Sequence, residues 1–72
     1  MSTQKAYSGK YLITILKKIG FEVIRIKGSH HYLKHIDGRS TVVPVHSNED
    51  IGLLKKILKD IEITSEQLEN IK

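Results

Sequence analysis

The chain alternates between two hydrophobic periods. Leu12, Ile15, Leu16 and Ile19 recur at steps of three and four, which predicts one helix over residues 9–19. Ser8 stands where an N-cap is expected, Gly20 where a helix ends, and Lys17 and Lys18 complement the dipole in the last turn. The period then shortens. Phe21 to Ile26, His30 to His35 and Ser40 to Val45 read as three strands, separated by a Lys27-Gly28-Ser29 turn and an Ile36-Asp37-Gly38-Arg39 hairpin signal. Pro44 suits an edge strand or a strand end, because proline cannot donate to a ladder. Ser47 to Asp50 opens a second helical stretch carried by Ile51, Leu54, Leu58 and Ile61. Thr64 with Gln67 forms a capping box for a short last helix, with Leu68 and Ile71 as its apolar contacts. The order helix, three strands, helix predicts an α+β fold: a three-stranded antiparallel sheet with helices on one face.

The hairpin register decides which side chains share a face. A two-residue Asp37-Gly38 loop pairs Ile36 with Arg39. A three-residue Ile36-Asp37-Gly38 loop pairs His35 with Arg39 instead. The longer loop sorts the side chains better. It places His31, Leu33, His35, Thr41, Val43 and Val45 on an aliphatic face toward the helices. His30, Tyr32, Lys34, Val42, Pro44 and His46 then lie on an open face.

Composition narrows the class. With 72 residues there is room for a single domain, residues 1–72, and such a chain buries only about 60% of its unfolded surface. There is no cysteine, which excludes a disulfide framework and thiolate metal sites and agrees with a reducing cytoplasm. No apolar run approaches the roughly 18 residues of a membrane helix, so no membrane partner is expected. Net charge is +4, unevenly placed. Residues 1–46 hold eight lysines and arginines against two acids, a balance of +6; residues 47–72 hold four against six, a balance of −2. All four histidines lie within residues 30–46. A phosphate-bearing partner accounts for that concentration, and so does a solvated basic face.

The histidines are poor metal ligands as a set. His31 and His35, four apart on a strand, are roughly 13 Å apart, too far to share one zinc ion. No metal and no cofactor is expected. A nucleophilic triad is also absent: Ser29 and His30 are neighbours on an extended chain and point to opposite faces. Proton transfer remains. An RNA strand carries its own nucleophile, the 2′-hydroxyl, so a histidine among lysines suffices to move the protons and neutralise the phosphate. A structurally hydrogen-bonded or solvated histidine cluster is the other reading of the same residues.

Lys27-Gly28-Ser29-His30-His31, Asp37-Gly38-Arg39, Val43-Pro44-Val45-His46 and Gly52-Leu53-Leu54 with Ile57-Leu58-Lys59 together resemble the HicA toxin family, over residues 8–68. The resemblance implies a double-stranded-RNA-binding-domain-like α-β-β-β-α fold. It also implies the toxin of a type II toxin–antitoxin system, an endoribonuclease that cleaves mRNA and is masked by a HicB-type antitoxin. His30 corresponds to the family's catalytic histidine. Gly28 and Ser29 belong to the same motif, and His46 matches the Val-Pro-x-His segment as an auxiliary. Lys27, Lys34 and Arg39 are candidate phosphate contacts, and Tyr32 either stacks on a base or shields the sheet. Two positions depart from the family pattern: Ile36 replaces a common proline, and no lysine precedes Gly52. A non-catalytic RNA-binding module is the alternative, since the fold is shared with proteins that bind RNA without cutting it.

Overall fold

The computed structural model describes residues 7–45 and 54–71. Its elements follow the predicted order: α1 (Gly9–Lys18), β1 (Phe21–Lys27), β2 (His30–His35), β3 (Ser40–Pro44), α2 (Leu54–Asp60) and α3 (Ser65–Ile71). Ser8 caps α1 by accepting a hydrogen bond from the Tyr11 amide. Thr64 and Gln67 form the reciprocal capping box: each backbone amide donates to the other's side-chain oxygen, at 2.9 and 3.1 Å. The predicted helix start at Ser47–Asp50 lies outside the described residues.

The three strands form one antiparallel sheet in the order β1-β2-β3. Both hairpins are set by glycine. Gly28 has φ +61° while Ser29 does not have positive φ, the pattern of a two-residue turn with glycine at its first position. Lys27 therefore pairs with His30. At the other end the Gly38 amide donates to the His35 carbonyl, and the His35 amide donates to the Arg39 carbonyl. That is the three-residue loop, and it fixes the pairs His30 with Pro44, His31 with Val43 and Tyr32 with Val42. Pro44 closes an edge strand, where its missing donor breaks no ladder.

The core lies between the sheet and the helices. Leu12, Ile15 and Leu16 of α1, Ile57 of α2, Leu68 of α3 and Ile61 pack with Phe21, Leu33 and Val43, all with almost no exposed surface. Burial of each such side chain contributes roughly 1.5–3 kcal/mol. Tyr7 joins this core, and its hydroxyl donates to Glu69 Oε2 of α3 at 2.7 Å, tying the segment that leads into α1 to α3. Gly9 sits so close to the end of β3 that a β-carbon there would overlap the Pro44 carbonyl oxygen. The first turn of α1 thus packs on the strand end opposite His30.

A β-bulge changes the parity of β1. Val23 pairs with Leu33 but Arg25 pairs with Tyr32, so Ile24 is an extra residue. Simple alternation from Phe21 would turn Arg25 and Lys27 toward the helices. The bulge turns both onto the open face and sends Ile26 to the other side.

Candidate nucleic-acid interface

The open face is built in three cross-strand rows. Glu22, Lys34 and Ser40 form one; Arg25, Tyr32 and Val42 the middle one; Lys27, His30 and Pro44 the last, beside the β1–β2 turn. Partners within a row have Cα atoms roughly 4.5–5.5 Å apart. His30, Lys27, Lys34 and Arg25 are exposed, and Tyr32 is half-buried among them. Among the described residues the ion pairs are Arg39–Asp37 and Lys56–Asp60, and the Asp37 carboxylate also lies 3.1 Å from His35 Nδ1. None of these neutralises Arg25, Lys27 or Lys34, so the face presents three free cations against Glu22.

The site residues named from the sequence separate into groups. His30, Lys27, Tyr32 and Lys34 come together on this face. Gly28 and Ser29 form the turn at its edge, where the Ser29 carbonyl accepts the Val45 amide at 2.7 Å and holds the end of β3 against the turn. His46 lies outside the described residues. Arg39 stands apart. It pairs across the loop with His35, on the helix-facing side and roughly 16 Å along β2 from His30. Its Nε donates to Asp37 Oδ2 at 2.9 Å, its Nη1 donates to the Ile61 carbonyl at 2.7 Å, and its guanidinium lies 5.3 Å from the centre of the Phe21 ring. A cation at the end of α2, stacked on an aromatic ring, joins the hairpin to the helix layer. The guanidinium named as a candidate phosphate contact is thus engaged with Asp37, Ile61 and Phe21, away from the face that carries His30.

The remaining histidines also divide. His35 Nε2 donates to the Ile19 carbonyl at 2.9 Å, and its Nδ1 accepts the Asp37 amide at 3.0 Å. With Nδ1 accepting, the Asp37 carboxylate 3.1 Å away is a neighbour rather than a hydrogen-bond partner. The ring packs edge-on against Phe21. His35 thus stitches the end of α1 to the β2–β3 loop. His31 faces the helices, and its Nδ1 is buried without a hydrogen-bond partner. Asp37 accepts the Arg39 amide and its guanidinium, which hold its carboxyl below the usual carboxylate value, the amide contributing most. Among the described residues no three His, Asp or Glu side chains are grouped to hold a metal ion.

Arg25 is the member of this face that sequence reasoning missed. Its guanidinium lies over the Tyr32 ring, 6.0 Å from the centroid. The apolar doublet Val23-Ile24, followed by Arg-Ile-Lys, is the trace the bulge leaves in the sequence.

The sequence profile of the HicA toxin of bacterial toxin–antitoxin systems matches residues 9–63, about three quarters of the chain. The chain belongs to the HicA toxin family. No curated protein matches it. The matched span of this HicA-family chain takes in α1, the whole sheet and α2, and ends before α3. It is therefore the toxin component of a toxin–antitoxin pair, and membership implies an antitoxin partner. Among the described residues no helix is long and apolar enough to cross a membrane.

Proposed function

We propose that this toxin is an endoribonuclease that cleaves mRNA in the cytoplasm and so blocks translation, with His30 as its catalytic proton-transfer group. The supporting observation is the pairing of exposed His30 with Lys27 beside a glycine turn, on a face carrying two further cations. In the proposed reaction the ribose 2′-oxygen attacks the adjacent phosphorus and loses its proton. The P–O5′ bond breaks and the leaving oxygen takes up a proton. The products are a 2′,3′-cyclic phosphate and a 5′-hydroxyl. His30 serves one of these transfers, and His46 is the candidate for the other. Lys27 and Lys34 neutralise the phosphate charge that grows in the transition state, and Gly28 and Ser29 present the turn that the RNA backbone approaches. No metal or cofactor enters this scheme. A HicB-type antitoxin is proposed as the partner that covers the face.

Purified wild type and His30→Ala test the reading. Wild type should cleave mRNA in the presence of chelator, and inducible wild type should arrest growth. The alanine variant should do neither while keeping its fold. Intact RNA together with a salt-sensitive gel shift by wild type would identify a binding module instead.

A further inference from the structure

The open face has a flat centre as well as charge. Tyr32 lies in the middle strand of the sheet, half-buried, between Val42 on one side and Arg25 on the other. The Arg25 guanidinium stands over its ring, 6.0 Å from the centroid. His30 is two residues along the same strand and on the same face, roughly 7 Å away. Lys34 is two residues along in the other direction. An aromatic ring and a planar cation, flanked on either side by groups that suit phosphate, repeat the alternation of base and phosphate along an extended strand. A duplex offers no such match, because its bases are stacked on each other and its outward surface is phosphate and sugar.

We infer that Arg25 and Tyr32 form a stacking platform for one unpaired nucleobase next to the phosphate at His30, so that the substrate is single-stranded RNA. The inference rests on the proposed ribonuclease reading and adds its substrate class. Base–aromatic stacking tolerates any base, since each has a π face, so the platform selects strandedness rather than sequence. The Arg25 guanidinium is planar and stacks where a lysine would not. Tyr32 acts here as a positioning residue: it holds the base and so registers the phosphate at His30.

Binding is read with the His30→Ala protein, so that no RNA is cut, against a single-stranded oligoribonucleotide and the duplex of the same sequence. The single strand should bind more tightly. Adding Tyr32→Leu, which keeps apolar bulk, should weaken single-strand binding about tenfold and leave duplex binding unchanged. Tyr32→Phe should bind like the parent. Arg25→Lys keeps the charge and should still lose several-fold. The salt dependence should stay the same for Tyr32→Leu and become shallower for Lys34→Ala. In the otherwise wild-type protein, Tyr32→Leu should raise KM and lower kcat as well, because the phosphate loses its register at His30. Thermal melts confirm that each variant is folded.

Equal or tighter binding of the duplex would overturn the platform, and so would undiminished single-strand binding by folded Tyr32→Leu. Loss of antitoxin binding with RNA binding intact would make the face a protein-docking surface and overturn it equally. Failure of the ribonuclease reading looks different. Wild type would then bind single strands without cutting them, and the Tyr32 and Arg25 effects on binding would still be read.

Discussion

Lys27 and His30 are cross-strand partners that close the β1–β2 turn, side by side on the open face of the sheet. Two features of the backbone place them there. Gly28 makes the turn tight enough for adjacent strands to begin at once, and the bulge at Ile24 turns Lys27 to the side His30 occupies. The proposed proton donor or acceptor thus sits beside a fixed positive charge with no acid between them.

His30→Ala is expected to lower RNA cleavage by about 10²- to 10⁴-fold, the usual worth of a positioned acid or base. The side chain is exposed and outside the core, so the melting temperature should stay close to that of wild type. Product analysis on a defined RNA should find 2′,3′-cyclic phosphate ends; 3′-hydroxyl ends would contradict the proposed chemistry.

Arg39→Ala should behave in the opposite way. Removing the guanidinium leaves the Ile61 carbonyl without its donor, leaves the Asp37 carboxylate with the residue-39 amide alone, and uncovers Phe21. A stability loss of about 1.5–3 kcal/mol is expected from the part-buried charge-assisted hydrogen bond to the Ile61 carbonyl. Cleavage per folded molecule should be retained. Urea melts combined with activity measured well below the melting temperature separate the two effects.

Glu62 is the described non-glycine residue with positive φ, at 58°. It follows α2, where its amide donates to the Lys59 carbonyl and the Ile63 amide donates to the Leu58 carbonyl, the helix-ending motif that favours glycine. Glu62→Gly should stabilise the protein by about 0.5–1 kcal/mol, the relief of a left-handed L-residue being partly offset by glycine's greater freedom when unfolded. A calorimetric scan should show a higher melting temperature, and a lower one would contradict this reading of the helix end.

Asp37 sets an acid limit. Its carboxyl is held below the usual value in the folded protein by the Arg39 amide and guanidinium. A depressed folded pKa means that the unfolded chain binds the proton more readily. The carboxylate's stabilisation is therefore present above the unfolded value and lost as pH falls through the folded one. Stability should decline in that acidic window and hold steady above it. Asp37→Asn, which keeps an oxygen for the Arg39 amide, should flatten this part of the pH profile, as urea melts at a series of pH values would show.

Much of this architecture was legible as periodicity. The three-and-four spacing of Leu12, Ile15, Leu16 and Ile19 gave α1, and Ser8 gave its start. Thr64 and Gln67 gave the last cap. Two-residue alternation put His30, Tyr32 and Lys34 on one face, and the sorting of apolar from polar residues chose the three-residue loop that sets Val42 and Pro44 beside them. These features depend on contacts within a few residues or on a strict two-residue alternation, so they are written in the order of the chain.

The rest needed the third dimension. Arg25 and Lys27 reach the open face only because β1 carries one extra residue against β2, and a bulge is a mismatch between two strands that neither strand states by itself. Arg39 looked like one more cation for phosphate. Its neighbours Ile61 and Phe21 lie 22 and 18 positions away in the chain, and packing alone brings them to its guanidinium. Local sequence determined which elements form and which way most side chains alternate. Tertiary structure decided which charges remain free for a ligand, because a charge is used up by whatever the fold sets beside it.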